Sequence, residues 1–114
     1  MEFTDEFEAW WDELPEREQG AIAERVDLLA RRGPALKRPV VGEIKASRHH
    51  PRMKELIVEE GAASIRILFA FDPRRAALLL LGGDKAGNWR RWYVQNVPIA
   101  DDLYDEHLNE INES

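Results

Sequence analysis

The sequence predicts an α+β protein, residues 1–114 forming one domain, in which an N-terminal helical hairpin packs on a small antiparallel sheet and a C-terminal helix follows. Three observations predict it. Apolar residues recur at helical spacing up to residue 30, residues 54–81 switch to strand patterns, and residues 99–111 return to helical spacing. At 114 residues the chain can bury one core, on the order of two-thirds of the surface that its unfolded form exposes.

Thr4 followed by Asp5, Glu6 and Glu8 gives an N-cap and an acidic first turn, and Phe7, Trp10, Trp11 and Leu14 make one apolar stripe, so a helix is expected over residues 5–14. Both tryptophans are assigned to its packing face. Pro15 suits the first turn of a second helix, where Ile22, Val26 and Leu29 repeat until Gly33-Pro34 stops it. Residues 35–52 hold no period. Pro34, Pro39, Gly42 and Pro51 punctuate a loop with at most a short strand over residues 40–44, and a loop of that length is expected to be functional or partly mobile.

Three strands follow. Residues 54–59 form a short one; in residues 64–72, Ile65, Ile67, Phe69 and Phe71 share one face while Arg66, Leu68 and Ala70 share the other; residues 76–81 are an apolar run suited to a central strand. Asp72-Pro73 opens the turn between the last two. Residues 82–88, Gly-Gly-Asp-Lys-Ala-Gly-Asn, read as a flexible turn, residues 89–94 as a short helical piece, and a final amphipathic helix begins after Pro98. The expected architecture is a sandwich of two layers.

The chain has no cysteine, which excludes disulfides, zinc–thiolate sites and a cysteine nucleophile. An acidic start and the absence of a long apolar run predict a cytoplasmic protein without a membrane partner. The net charge of −6 argues against a nucleic-acid partner until the charges are placed. Residues 1–30 carry ten acids and two bases, residues 31–91 fourteen bases and six acids, and residues 92–114 six acids and no base. The basic middle is where an anion would lie, with the acidic first and last helices facing elsewhere.

Gly82-Gly83-Asp84-Lys85 lacks the spacing of a nucleotide-phosphate loop, and three histidines without a helical pair give no metal site, so no cofactor or metal is expected. The remaining candidates are cations. A turn near residues 61–62 sets residue 57 across from Arg66, and a turn near Arg74 sets Arg66 close to Gly82, with Lys85 just beyond. Arg66, Lys85, Arg90 and Arg91 are therefore expected to converge at one end of the sheet near Tyr93. Lys54 approaches from the other edge with the loop residues Lys45, Arg48, His49, His50 and Arg52 as RNA-binding candidates. Such a cluster can hold a phosphodiester, stabilise charge as it reacts, and move protons through lysine, tyrosine or histidine.

These residues carry a resemblance. The run from Arg66 through Asp72-Pro73, then Gly82-Gly-Asp-Lys85-x-Gly87, Trp92-Tyr93, Pro98-x-Ala-Asp101 and residues 103–108 (Leu-Tyr-Asp-Glu-His-Leu), with Gly33-Pro34-x-Leu36-x-Arg38-Pro39 and Met53-Lys-Glu-Leu56 upstream, resembles the phage-derived HigB branch of the RelE/ParE toxin superfamily. The resemblance implies a RelE-like fold and the toxin of a type II toxin–antitoxin system. It implies a metal-independent endoribonuclease, an mRNA interferase that cuts mRNA in the ribosome by attack of the 2′-hydroxyl on the neighbouring phosphorus, leaving a cyclic phosphate and inhibiting translation. Its implied partners are the ribosome, mRNA and a HigA-like helix-turn-helix antitoxin, with operator DNA reached only through the antitoxin complex. By position, Arg66 matches the phosphate-clamping arginine, Lys54 and Lys85 the sheet lysines, and Arg90 or Arg91 with Tyr93 the later arginine and aromatic residue.

Three departures stand beside it. Ile57 follows the Lys-Glu-Leu motif where related chains commonly have arginine, only residues 1–4 precede the first helix where relatives have a strand, and the chain is acidic overall. Two rival readings share the fold: a ParE-like gyrase inhibitor, and a catalytically degenerate toxin that acts as an antitoxin-binding co-repressor.

Overall fold

A computed structural model describes residues 1–113. Strand β1 (Glu2–Phe3) leads into helix α1 (Asp5–Asp12) and helix α2 (Glu16–Arg32), a short 3₁₀ turn (Gly33–Ala35) and strand β2 (Val41–Glu43). Strands β3 (Met53–Glu60), β4 (Ala63–Phe71) and β5 (Ala77–Asp84) then form an antiparallel meander, and helix α3 (Trp89–Glu113) ends the chain. The sheet has the order β1-β5-β4-β3-β2, with β1 parallel to β5. The short N-terminal segment thus does supply an edge strand.

The expected helix signals operate. The Thr4 hydroxyl accepts the Phe7 N–H at 3.0 Å while donating to the Leu80 carbonyl at 2.6 Å, so the cap of α1 also fastens it to β5. Gly33, at φ 57°, ends α2 in the left-handed region.

The two faces of the meander are apolar, and this overturns the two-layer expectation. Ile65, Ile67 and Phe69 of β4, with Leu56, Val58 and Leu79, pack under Phe7 of α1 and Ile22 and Leu29 of α2. Leu68 and Ala70, with Met53, Leu78 and Leu80, pack under Val97, Ala100, Leu103 and Tyr104 of α3. The helices lie on opposite sides, giving three layers, because β4 and β5 have apolar residues at both parities and both must leave water.

The Gly82–Asn88 turn is also corrected: Gly82, Gly83 and Asp84 belong to β5. A Cβ on Gly82 would stand 2.3 Å from the Trp10 ring, and one on Gly83 2.3 Å from Trp92 Nε1, so each glycine leaves a slot for a tryptophan on its own face. The β4–β5 register shifts between Leu68 and Phe69, leaving Leu80 as an inserted residue. That bulge sets Arg66 opposite Gly83 rather than the expected Gly82.

The predicted helical piece and C-terminal helix are one element. Pro98 lies inside α3 and is exposed, as is Val94 one turn earlier, so the carbonyl that loses its N–H partner is on the solvent side. The loop before β3 is more tied than expected. The Ser47 hydroxyl donates to Asp101 at 2.5 Å and the Arg48 N–H to the same carboxylate at 3.0 Å, while the His49 ring meets Asp105 at 2.7 Å and stands edge-on to Tyr104. Among the described residues, no helix is long and apolar enough to cross a membrane.

Buried Asp72 closes the β4–β5 turn, accepting the N–H groups of Arg74 at 2.8 Å and Ala76 at 3.1 Å, the Arg74 guanidinium at 2.8 Å and the His107 ring at 3.0 Å. Burial opposes its ionisation, but the bonds from His107, Arg74 and the two backbone N–H groups outweigh it and hold its carboxyl down at about 2. The folded state therefore binds fewer protons than the unfolded chain, whose carboxyl titrates near ~3.9. This contribution, on the order of 2 kcal/mol, is present above about pH 4 and is lost as the pH falls towards 2. Asp72→Asn is expected to remove it at pH 7 and flatten that acid limb, as read by urea unfolding at the two pH values.

Candidate functional site

The site is built on the α3 face of β3 and β4. Side chains alternate along β3, so Met53, Glu55, Ile57 and Glu59 share that face, and the register sets Ile57 across from Arg66 as the sequence predicts. Arg66 is 7% exposed and Glu55 5% exposed. The Arg66 Nη1 donates to the Glu59 carboxylate at 3.0 Å and to the Ile65 carbonyl at 2.9 Å, and its Nε stands 3.5 Å from Glu55 Oε1 without a hydrogen-bond acceptor. Tyr93, from the second turn of α3, donates its hydroxyl to the same Glu55 oxygen at 2.5 Å. One carboxylate oxygen therefore faces both a phenol and a guanidinium.

Burial, the hydrogen bond to Glu55 and that carboxylate's charge push the Tyr93 hydroxyl well above its ordinary range, outweighing the opposing effect of Arg66. At neutral pH Tyr93 is a proton donor and not a base. Gly42, paired with Glu55 in the β2–β3 ladder, lets other groups close in: a Cβ there would meet Glu55 Oε2 at 3.1 Å and the Arg38 guanidinium at 3.2 Å.

Around this centre lies a cavity of about 450 Å³, lined by Arg38, Lys45, Glu55, Arg66, Lys85, Trp89 and Tyr93 among others. Lys85 follows β5 directly and holds its Nζ 5.8 Å from the Tyr93 ring centroid. Asn88 accepts the Arg91 N–H at 3.3 Å and so caps α3, which places Trp89 and Tyr93 on the cavity wall one turn apart. Arg38, Lys45 and Lys85 make no ion pair with a described carboxylate, so their charge is available to an anion.

The structure brings together Arg66, Lys85, Tyr93 and Lys45, but not every expected residue. Lys54 has the parity of Leu56 and Val58, hence the α1–α2 face of the sheet, where it approaches Glu43 at 3.7 Å and lines a second cavity. The two cavities meet at Arg38, Glu43 and Lys45. Arg90 lies over the Trp89 ring at 5.5 Å, and Arg91 is exposed and absent from the cavity lining. The loop cations are spread over several partners. Arg48 pairs with Asp101, Asp102 and Asp105, His49 with Asp105, and His50 stands 3.7 Å from Glu43, while Arg52 is exposed. Arg48 and His49 thus pair with acids of α3 while Lys45 faces the cavity, and it is the acid-free start of this helix that lines the cavity.

Two contributors were missed from sequence. Glu55 is part of the Met53-Lys-Glu-Leu56 motif, and its parity with Ile57, the residue across from Arg66, was the signal that could have found it. Arg38 stands in the motif Gly33-Pro34-x-Leu36-x-Arg38-Pro39, but the loop path that returns it to Gly42 has no period that would place it at the cavity. Among the described residues, Glu2, Asp72 and His107 come near enough to suggest a metal, but the Arg74 guanidinium already lies 2.8 Å from both carboxylates.

Residues 9–105 match the family described as phage-derived Gp49-like proteins. The chain is 52% identical over 101 residues to HigB3 of Mycobacterium tuberculosis, named as a candidate toxin, covering 89% of this chain and 86% of that protein. It is 38% identical over 107 residues to HigB2 of the same organism, also named as a candidate toxin, covering 93% of this chain and 53% of that protein, about half its length. No solved structure matches.

Proposed function

Because the chain belongs to the phage-derived Gp49-like family and to the HigB-like toxins of toxin–antitoxin systems, we propose that it is a metal-independent endoribonuclease that cuts mRNA on the ribosome and is silenced by a HigA-like helix-turn-helix antitoxin. The observation that carries this reading is the meeting of Tyr93 and Arg66 at one oxygen of Glu55, inside a cavity rimmed by Lys85, Lys45 and Arg38. Cutting RNA without a metal needs three things: a base for the 2′-hydroxyl proton, an acid for the departing 5′-oxygen, and cations for the charge on phosphorus.

Glu55 is the base in this scheme. The proton of the 2′-hydroxyl passes to its carboxylate as the oxygen attacks phosphorus, and the P–O5′ bond breaks to give a 2′,3′-cyclic phosphate. Tyr93 or Lys85 delivers a proton to the 5′-oxygen. Lys85, Arg38 and Lys45 surround the phosphoryl oxygens, while Arg66, held by Glu59 and the Ile65 carbonyl, fixes Glu55 and adds positive potential. Ile57 leaves one fewer cation across from Arg66, and Arg38 brings a cation to the same cavity from the β2 side.

Expression without the antitoxin is expected to arrest growth and to fragment mRNA at ribosome-protected positions. Lys85→Ala, which removes a partly exposed side chain, is expected to lower cleavage on the order of 10²-fold with a melting temperature close to that of the parent. Growth arrest with intact mRNA and inhibited DNA supercoiling would support the gyrase reading, and normal growth with folded protein the degenerate one.

A further inference from the structure

Trp89 is 54% exposed, a large aromatic surface left in water at the wall of the cavity. Its ring stands tilted against Tyr93, with centroids 6.4 Å apart and planes at 73°. Lys85 Nζ lies 6.0 Å and the Arg90 guanidinium 5.5 Å from its centroid, and neither pairs with a described carboxylate. The core does not need this ring. It belongs to neither packed cluster, whereas Trp10 packs against the α1–α2 core and Trp92 against the α3 core.

We propose that Trp89 is a stacking platform for one nucleobase of single-stranded RNA, with the phosphate beside that base held by Lys85 and Arg90. This rests on the ribonuclease reading and adds a subsite to it. Every base has a π-face, so a solvent-facing indole flanked by cations accepts a base without demanding its identity, and a base that replaces a cation on the ring releases that cation to the neighbouring phosphate. The edge-on contact with Tyr93 then sets the stacked nucleotide next to the group that moves the proton.

The test uses the full chain and a fluorescent 2′-O-methyl hexanucleotide, which lacks the attacking hydroxyl, and reads anisotropy at low salt. Trp89→Ala is expected to weaken binding about tenfold, and Trp89→Phe to stay within about threefold of the parent. Hexanucleotides with one abasic site, moved along the strand, are expected to show one position at which the parent loses that factor and Trp89→Ala loses almost nothing. A parent that binds no hexanucleotide, a Trp89→Ala variant that binds as tightly as the parent, or an abasic loss equal in both proteins would overturn the proposal. Cleavage in a translating extract is scored separately: cleavage without the tryptophan effect removes the subsite alone, and the tryptophan effect without cleavage removes the ribonuclease reading alone.

Discussion

Glu55→Gln is expected to reduce mRNA cleavage by about 10²–10⁴-fold, the range for loss of a positioned proton-transfer group. The substitution keeps the shape and an oxygen for the Tyr93 hydroxyl but removes the negative charge, so it separates proton acceptance from packing. It also has a readout independent of activity. The hydrogen bond to Glu55 and its charge are two causes, after burial, of the raised Tyr93 titration, so the variant's tyrosine absorbance should titrate at lower pH than the parent's. Unchanged cleavage together with a shifted tyrosine would take Glu55 out of the chemistry while leaving the geometry in place.

Gly82→Ala is expected to cost about 3 kcal/mol, towards the upper end for overpacking, because the new methyl would stand 2.3–2.6 Å from three atoms of the Trp10 ring. On a domain of this size that lowers the melting temperature by roughly 10 °C. Pairing it with Trp10→Leu should recover part of the loss, since the two side chains compete for one space and their effects cannot add. If Gly82→Ala melts with the parent, α1 does not lie on β5 as described. The effect bears on function too, because the same stretch of β5 delivers Lys85 to the cavity.

The parts of the fold that follow local rules were legible in the sequence. The cap at Thr4, the stripe of α1, the stop at Gly33 and the alternation of β4 each depend on a few neighbouring residues, and the Ile57–Arg66 pairing follows from turn position and alternation. What was not legible depends on the other side of a contact. Gly82 and Gly83 look like a loop until Trp10 and Trp92 are seen to occupy the missing side chains. Pro98 looks like a helix start because nothing local says that its face of α3 is solvent.

The site divides in the same way. Type, register and resemblance made Arg66, Lys85 and Tyr93 candidates, and the three line one cavity. Glu55 is an acid among cations and carries no charge signal of its own, yet it is the carboxylate on which Tyr93 and Arg66 meet. Charge counted by segment placed the basic surface in the middle of the chain, but Arg48 and His49 pair with acids of α3, so the unpaired cations that line the cavity are Arg38, Lys45 and Lys85.

The most direct test of a metal-free 2′-hydroxyl mechanism in this cavity is the chemistry of the cut ends. In a translating extract supplied with a defined mRNA, the protein should leave a 2′,3′-cyclic phosphate and a 5′-hydroxyl. A single 2′-deoxynucleotide at the scissile position should abolish that cut while neighbouring sites persist. Cleavage of the deoxy-substituted message at the same bond, or ends bearing 5′-phosphate, would contradict the account.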